Sequence, residues 1–255
     1  MILKITKMKW SNRNVYVSKT AIIGKNVQIG VGTIIYDNVE IGDNTFIGPN
    51  CIIGEPTASY YKNPNEHNFL KTTIGNNSII RSNTIIYENV IIGDFFQTGH
   101  YAIIREESII GKHTSFGSKS ELPGKSTIGD YVRIHSNVML SENNLIENFV
   151  WIFPFVVLTN VKHPPLGEFM QTRIGEYTQI FAHAVILPGI TIGKNAIIGA
   201  GALVTKNVLD ERLIIGNPGK DVKSVREIKD SEGNLLYPWK DSLKEYRGYP
   251  WQEKS

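Results

Sequence analysis

A six-residue repeat runs in one register along most of this chain, from Val15 to Asn207. Outside three interruptions it comprises 27 units, of which 25 carry Ile, Leu or Val at the third position and 14 carry Gly at the fourth. A six-residue period is typical of a parallel β-helix, because one short unit buries its apolar face only when neighbours stack above and below it. Three units make one triangular coil, so 27 units predict an all-β prism of about nine coils.

The repeat divides the chain into a long body and a tail. We predict a β-helix over residues 1–208 and a second segment, 209–255, that packs on the helix or on a neighbouring subunit. Three excursions interrupt the body, near 57–71, 120–125 and 161–171. Long loops that break a regular scaffold are commonly functional, so a site is expected beside them.

The tail changes character along its length. The segment KDVKSVREI (220–228) predicts a short helix. An aromatic stretch follows, in which so many rings are unfavourable in water that we expect them to pack along the prism or across to another chain. The rings are Tyr237, Trp239, Tyr246, Tyr249 and Trp251.

Composition favours one ordinary soluble domain. The 255 residues are 41% hydrophobic and 20% charged, and no apolar run is long enough to span a bilayer. Met1 to Trp10 lacks the continuous apolar stretch of a signal peptide, so a cytoplasmic location is expected. The single cysteine, Cys51, allows no disulfide framework. A formal net charge of +3 is too small to indicate a nucleic-acid partner.

Counting the units by threes assigns each one to a face of the prism and gathers the irregularities on one edge. The two units without an aliphatic third residue carry Thr98 and Phe116, in adjacent coils. The same count places the second and third excursions at this edge, two coils apart. It also predicts a vertical polar row about 14 Å long, which suits an extended ligand rather than one metal ion. The row consists of the fifth residues of its units, His100, Ser118, Glu142 and Asn160.

Six segments give the chain a specific resemblance. Together they resemble the left-handed β-helix N-acetyltransferases that act on nucleotide-linked amino sugars, and most closely the dTDP-3-amino-3,6-dideoxyhexose N-acetyltransferases. The segments are VWIFPFVVLTNVKHPP (150–165), YVRIHSN (131–137), FQTGHYAIIRE (96–106), GAGALVTKNV (199–208), IIGNPGK (214–220) and LYPWKDSLKEYRGYPW (236–251). The resemblance extends over nearly the whole chain, and the aromatic tail with the Thr-Asn loop is its narrowest signal.

The resemblance implies transfer of an acetyl group from acetyl-CoA to a sugar amine, at C3, in a ternary complex without a covalent enzyme intermediate. It also implies surface glycan synthesis, for example of O-antigen or lipopolysaccharide, and it requires no metal. Prisms of this kind associate, and a cyclic homotrimer lays one corner of a chain against a different corner of its neighbour. The active site is therefore expected between subunits.

Four residues are candidates for the catalytic step. Asn160 ends a strand just before an excursion and is the first choice for orienting the amine. His135 is a candidate base from the neighbouring chain, and His163 a candidate base or CoA contact. Lys125 follows Gly124 where the related sequences are expected to have His, so this chain departs from the pattern there. If Lys125 only binds, the departing CoA sulfur becomes the more attractive proton acceptor.

Further candidates would bind the two substrates. Arginine's planar guanidinium suits a pyrophosphate, and aromatic rings suit a nucleotide base. The residues predicted to bind the nucleotide sugar are His100, Arg105, Glu142, Arg81 and Tyr60. The residues predicted to line a smooth groove for acetyl-CoA, or to contact its phosphates, are Ala182, Ala200, Gly201, Lys206 and Lys220.

Other functions stay open at this point. A γ-type carbonic anhydrase also has this fold and holds zinc with three histidines, but Met139 and Leu140 stand where the third ligand is needed. A noncatalytic β-helix needs neither clustered loops nor the GAG and GNP segments. An acyltransferase for a hydroxyl acceptor, a 4-amino sugar or a longer acyl chain is a closer alternative. The nucleotide, the sugar configuration and the acyl length are not readable from the repeat.

Overall fold

The computed structural model describes residues 14–165 and 167–252, and these form the predicted parallel β-helix. Each coil places one short strand on each of three faces. We name the faces A, B and C in the order in which the chain visits them, and we name the turns between them the AB, BC and CA edges. Face C has eleven strands, of which the last is antiparallel, so ten coils stack rather than about nine.

The first five coils stack in parallel, with one register shift between Ile86 and Tyr87 where β10 pairs with β7. They contain β1 (Tyr16–Val17), β2 (Ile22–Ile23) and β3 (Gln28–Ile29); β4 (Ile34–Ile35), β5 (Val39–Ile41) and β6 (Phe46–Ile47); β7 (Ile52–Glu55), β8 (Thr72–Ile74) and β9 (Ile79–Ile80); β10 (Ile85–Tyr87), β11 (Val90–Ile92) and β12 (Gln97–Thr98); and β13 (Ile103–Ile104), β14 (Ser108–Ile110) and β15 (Ser115–Phe116).

The remaining coils complete the prism, with Met139 and Val208 standing as single bridging residues on faces A and B. They contain β16 (Glu121–Leu122), β17 (Thr127–Ile128) and β18 (Arg133–Ile134); β19 (Asn144–Ile146) and β20 (Trp151–Ile152); β21 (Val157–Leu158), β22 (Thr172–Ile174) and β23 (Gln179–Ile180); β24 (Val185–Ile186), β25 (Thr191–Ile192) and β26 (Ile197–Ile198); and β27 (Leu203–Val204) and β28 (Arg212–Ile215).

The core is a ladder of third-position aliphatic residues. Ile35, Ile86 and Ile152 are completely buried, and parallel pairing sets each above its equivalent in the next coil. First positions hold mostly small or β-branched residues, and at several of them a Ser or Thr hydroxyl bonds to the backbone of the next coil. Thr114 Oγ1, for example, donates to the carbonyl of Gly129 over 2.8 Å. The repeat therefore specifies both the apolar interior and the polar contacts that join its layers.

The sixth position turns the chain, and it does so with a left-handed backbone in most units. Asn dominates there on the N-terminal coils, as at Asn26 with φ of 57°. On the BC edge, aromatic residues adopt the same conformation and stack in a continuous column. Their ring centroids are 4.5 to 5.3 Å apart. Stacking offsets the roughly 1 to 3 kcal/mol that a left-handed non-glycine residue costs. The column contains Phe95, His113, Tyr131, Phe149 and Tyr177.

One predicted excursion is wrong. Residues 120–125 contain β16, Leu122 is completely buried, and Lys125 turns the chain with φ of 49°. The Pro-Gly pair at 123–124 suggests a loop, but here it occupies the corner of a regular unit. Residues 15–207 therefore contain 28 units rather than 27, and Val208 and β28 complete the tenth coil. Every unit after residue 125 lies one face further round than the sequence count placed it.

This slip also divides the predicted polar row between two edges. His100 and Ser118 follow β12 and β15 on face C, so they lie on the CA edge. Glu142 and Asn160 follow Met139 and β21 on face A, so they lie on the AB edge. The prediction of one continuous row is therefore wrong.

The other two segments that interrupt the repeat both leave the prism at the AB edge. The first follows β7 and contains α1 (Ala58–Lys62) and a 3-10 turn (Pro64–Glu66). The second follows β21 and precedes β22. They lie five coils apart, or about 24 Å. The AB edge is thus the irregular edge of this molecule.

The C-terminal segment differs from its prediction at one place. Residues 220–224 form strand β29 (Lys220–Ser224), antiparallel to β28, and a 3-10 turn (Val225–Glu227) with a Ser224 capping box follows. A helix over 220–228 is therefore wrong, because the last strand of face C is an open edge that pairing satisfies. The chain then reaches α2 (Trp239–Ser242).

The aromatic tail packs against the prism, as one of the two predicted arrangements requires. Trp239 Nε1 donates to the carbonyl of Tyr177 over 2.7 Å. Trp251 lies 4.9 Å from Phe149, ring to ring, and stacks on Tyr249 at 4.8 Å. The tail thus returns along the BC edge and covers its aromatic column.

Candidate functional site

A groove crosses face C beside the CA edge, at the fourth position of the units there. Its floor is Gly99 and Gly117, with Arg81 at one end and His135 at the other. These ends are three coils apart, or about 14 Å. The groove encloses about 320 Å³.

The glycine floor is a consequence of close packing between coils. A Cβ atom on Gly99 would lie 2.2 Å from the backbone nitrogen of Ser118, and one on Gly117 would lie 2.2 Å from the carbonyl carbon of His135. No real side chain tolerates such distances, so the floor is bare. A ligand can therefore reach the backbone between Arg81 and His135.

Arg81 is held by a residue that breaks the repeat. Its backbone N–H donates to the hydroxyl of Thr98 over 2.8 Å, and its Nη1 donates to the Thr98 carbonyl over 2.5 Å. Among the described residues no carboxylate forms an ion pair with it. The hydroxyl of Thr98 thus holds the backbone of Arg81, and the Thr98 carbonyl holds its guanidinium, whose other N–H groups bond to no other described residue.

His135 presents an unbonded imidazole at the opposite end. Its ring stacks on Phe153 at 4.9 Å and 9°, and Phe153 stacks on Phe181 at 4.7 Å. Burial, with a smaller effect from the nearby charge of Arg133, lowers the pKa of His135 below 6.5. No other side chain in the described part of the chain hydrogen-bonds to the ring. At neutral pH this imidazole is therefore uncharged and able to accept a proton.

His100 joins the groove from the CA edge. Its Nδ1 lies 2.8 Å from the hydroxyl of Ser82, and its backbone N–H donates to the hydroxyl of Ser118 over 2.9 Å. Arg81, His100 and His135 are thus the predicted residues that one chain brings together.

The CA edge continues as a smooth surface toward the C-terminus. The predicted cofactor residues Ala182, Ala200 and Gly201 lie along it, and Gly201 N–H donates to the Ala182 carbonyl over 2.9 Å. Lys220 begins β29 nearby, where Gly219 N–H bonds to the Leu203 carbonyl. Lys206, by contrast, follows β27 and lies on the AB edge.

The other predicted catalytic residues lie along the AB edge. Lys125 and Asn160 lie two coils apart, with Glu142, a predicted sugar-binding residue, in the coil between them, and His163 is exposed on the second excursion. The Asn160 carbonyl accepts from Met170 N–H over 2.8 Å, which closes the excursion. Its side-chain amide bonds to no other described residue. In a single chain these groups lie across face A from the groove.

Arg105 is more constrained than the sequence indicates. Its guanidinium binds both carboxylate oxygens of Glu106, at 2.8 and 3.0 Å, and lies 5.1 Å over the ring of Tyr87. Burial opposes the charge, but the hydrogen bond with Glu106 raises the pKa of Arg105. A phosphate at Arg105 would have to compete with this carboxylate.

The first excursion forms a separate aromatic and acidic cluster. Tyr60 packs against His67 and Phe69, and a cavity of about 570 Å³ separates the excursion from the AB edge. Glu88 fixes this loop, since it accepts from the N–H groups of Thr57 and Leu70 at 3.0 and 2.9 Å and lies 3.0 Å from His67 Nε2.

Glu88 is a functional candidate that the sequence analysis missed. It is almost completely buried, with 1% of its surface exposed. Although burial opposes it, hydrogen bonds from the loop backbone lower the pKa of this carboxyl. Only its fifth position in a unit beside the longest excursion could have indicated the role.

Two absences are observed. Within residues 14–165 and 167–252, no group of three or more His, Cys, Asp or Glu side chains is placed to hold a metal ion. No helix in these same ranges is long and apolar enough to cross a membrane.

Comparison with known sequences assigns the repeat. Residues 20–55 and 171–206 match the profile described as bacterial transferase hexapeptide (six repeats). These two segments are therefore similar to the hexapeptide repeats of bacterial transferases. They lie at the two ends of the β-helix, and the groove lies between them.

A curated relative is similar over part of the repeat. The 2,3,4,5-tetrahydropyridine-2,6-dicarboxylate N-acetyltransferase of Staphylococcus aureus (strain JH9) is 36% identical over 80 residues, which are 31% of this chain and 33% of that protein. The chain thus spans about a third of the length of the curated relatives that it matches.

Two solved structures share the fold over most of their length. The UDP-N-acetylglucosamine acyltransferase from Campylobacter jejuni has a TM-score of 0.56 at 14% identity, covering 86% of this chain and 78% of that one. The UDP-N-acetylglucosamine acyltransferase from Bacteroides fragilis 9343 has a TM-score of 0.50 at 19% identity, covering 83% and 73%. At these identities the likeness extends to the fold alone.

Proposed function

We propose that this protein transfers an acetyl group from acetyl-CoA to the amine of a nucleotide-linked amino-dideoxy sugar, with the C3 amine of a dTDP sugar as the preferred acceptor. One observation carries the proposal. The neutral, unbonded imidazole of His135 and the unpaired guanidinium of Arg81 face one glycine-floored groove. A base and an anion-binding guanidinium about 14 Å apart suit an acceptor that has an amine at one end and a diphosphate at the other. The hexapeptide repeats and the N-acetyltransferase relative support acyl transfer.

Face A supports a homotrimer. Its outward second positions are apolar in every coil except at Glu121, whereas face B carries Glu40 and Arg173 among its outward residues. An apolar strip of this length indicates a protein partner. The outward residues of face A are Tyr16, Ile34, Ile52, Ile85, Ile103, Glu121, Met139, Val157, Val185 and Leu203.

A trimer built on face A would complete the site. When three triangular prisms turn one face toward a common axis, the CA edge of each meets the AB edge of the next. His135 and His100 of one chain then approach Lys125, Glu142 and Asn160 of its neighbour. An axis parallel to the prism keeps residues of similar coil number at similar height, and all five lie within about four coils, or about 19 Å.

The chemistry needs only modest help from the protein. Orientation of the amine beside the thioester supplies roughly 7 to 11 kcal/mol of the barrier. Asn160 would orient the amine and His135 would accept its proton as the C–N bond forms. The C–S bond then breaks, and the CoA thiolate leaves or itself takes the proton. Backbone groups of Ala182 and Ala200 would bind the pantetheine arm, since the N–H of Gly201 already donates to the Ala182 carbonyl.

The test is a thiol-release assay with acetyl-CoA and a panel of nucleotide-linked amino sugars, beginning with dTDP-3-amino-3,6-dideoxyglucose and its galacto epimer. We expect release with a 3-amino sugar, its loss in Asn160→Ala, and no loss in Asn65→Ala, a matched change on an exposed loop. No release with any amino sugar, in a protein that still binds CoA, would overturn the acceptor assignment. It would direct the search to hydroxyl acceptors and longer acyl donors.

Co-expression tests whether the site is shared. His135→Gln and Asn160→Ala chains are each expected to be inactive. Random mixing in trimers restores both groups in about a quarter of the sites if each site uses two chains. Activity of the mixture no higher than that of either variant would mean that one chain holds both groups.

A further inference from the structure

We infer that Tyr249, in the aromatic tail, is a positioning residue for His135. Its hydroxyl holds Arg133 and Trp151 against the imidazole end of the groove. This inference rests on the proposed role of His135 as proton acceptor. It gives the tail a part in the reaction beyond covering the BC edge.

Tyr249 is built into the prism although it is distant in sequence. Only 2% of its surface is exposed. Its hydroxyl oxygen accepts from Arg133 Nε over 3.1 Å and from Trp151 Nε1 over 3.2 Å, across 116 and 98 residues of sequence. A phenol oxygen has the two lone pairs needed to accept both bonds at once. The hydroxyl is thus a joint between the tail and two adjacent strands of face C.

Both residues held by this joint adjoin His135. The Trp151 ring lies 6.3 Å from the imidazole, and Arg133 lies two residues before His135 at the wall of the same groove. The Arg133 guanidinium is 5.1 Å above the Trp151 ring and 5.7 Å from the Tyr249 ring. No carboxylate of a described residue pairs with Arg133. Two aromatic faces and one hydroxyl fix its charge in place.

The surroundings of His135 make the position of this charge matter. Arg133 precedes it on β18, Arg247 of the tail lies 5.6 Å over Trp151, and Arg81 and His100 face the same groove. No Asp or Glu lines the groove. Since only cations and neutral groups surround the imidazole, a cation held near it favours the unprotonated ring that the reaction needs.

The tail has other anchors, so removal of one hydroxyl leaves it in place. Trp239 remains bonded to the Tyr177 carbonyl, and the Tyr249 ring remains stacked on Trp251. Tyr249→Phe therefore removes the joint and keeps the packing. Tyr246→Phe, at a residue 46% exposed, is the matched control.

The experiment is an NMR titration of the histidine ring protons in the full chain without substrates, with the His135 signal assigned by its loss in His135→Gln. We expect Tyr249→Phe to raise the measured pKa of His135 by about half a unit, because Arg133 is free to move into solvent. Tyr246→Phe should leave it unchanged. An unchanged His135 titration in folded Tyr249→Phe would overturn the inference.

A second variant tests whether Tyr249 affects His135 through Arg133. Arg133→Gln should raise the pKa of His135 at least as much, and Tyr249→Phe combined with Arg133→Gln should add nothing further. Additive effects would mean that Tyr249 does not act through Arg133, and no rise in Arg133→Gln would also overturn the inference. If the titration moves as expected but the pH dependence of acetyl transfer does not, the positioning stands and His135 is not the base.

Discussion

The CA and AB edges flank the same face but are built in opposite ways. In the part of the chain that the structure describes, the CA edge has no excursion, and the coil stack itself fixes Arg81, His100 and His135. The AB edge carries both long excursions and the carboxylates Glu88, Glu106 and Glu142. The regular edge holds its side chains at fixed heights along the prism axis. The irregular edge instead carries loops that extend over the surface beside it. In a shared site, each chain would contribute a wall of regular coils to one neighbour and a wall bearing loops to the other.

The largest effect on activity is expected from preventing the CA edge of one chain from meeting the AB edge of its neighbour. Met139 is 53% exposed on face A, and Met139→Lys places a charge in the proposed subunit interface. We expect monomers by sedimentation and a loss of acetyl transfer of about a thousandfold or more, since burying an unpaired charge is strongly unfavourable. Ile109→Lys, at a residue 49% exposed on face B, is the control. Trimers in Met139→Lys, or monomers in both variants, would show that face A is not the interface.

Removal of the base at the CA edge should have the next largest effect. His135→Gln is expected to lower kcat/KM by about 10² to 10⁴. Burial lowers the pKa of His135 from its ordinary value of 6.5, and the proposed base acts in its neutral form, so the wild-type rate should rise with pH to a plateau already reached by neutral pH. The variant should lose this rise. His113→Gln, whose ring is also stacked and whose pKa burial also lowers, should keep it.

The glycine floor gives a stability prediction. Gly117→Ala puts a Cβ atom 2.2 Å from backbone, so we expect it to lower the free energy of unfolding by about 3 kcal/mol. Gly199→Ala has the same position in its unit but a nearest contact of 3.2 Å, and it should cost less than about 1 kcal/mol. Chemical denaturation measures both. Equal costs would mean that the floor tolerates side chains.

The smallest effect concerns the loop anchor at the AB edge. Glu88→Gln keeps the shape but removes the charge, and we expect about 1 to 2 kcal/mol less stability for the first excursion. Because the folded pKa of Glu88 is lowered, its contribution is complete above the unfolded value near 4.5 and is lost as the pH falls through the lower folded value. Hydrogen exchange of residues 57–71 measures this. Glu66→Gln, on the exposed turn, should leave exchange unchanged.

The sequence predicted the β-helix fold more completely than it predicted which residues lie on which edge. The third-position aliphatic residues specify a stack of triangular coils because no other arrangement buries them all. One unit with Pro123 and Gly124 was mistaken for a loop, and in a threefold prism an error of one unit moves every later residue to another face. Glu142 and Asn160 were therefore assigned to the wrong edge although their spacing from each other was right.

Some residues of the candidate site could be proposed from their residue type alone. The side chains of His135, Arg81 and Asn160 have chemistry that is evident from the sequence alone. Glu88 and Tyr249 act through partners 31 and 116 residues away, and no local pattern encodes those contacts. Thr98 is intermediate, since its departure from the repeat was visible but its bond to Arg81 was not.

The glycine-floored coils between Arg81 and His135 allow the length of the groove to change only in fixed steps. One full coil is 18 residues, as the pairing of Arg133 with Trp151 shows. Insertion of a coil with a glycine at its fourth position would lengthen the groove by about 4.8 Å without turning either end to another face. Insertion of six residues would instead rotate one end away. Proteins of this architecture can therefore adapt to longer or shorter ligands only in whole layers, so reach would evolve by duplication of coils rather than by gradual substitution.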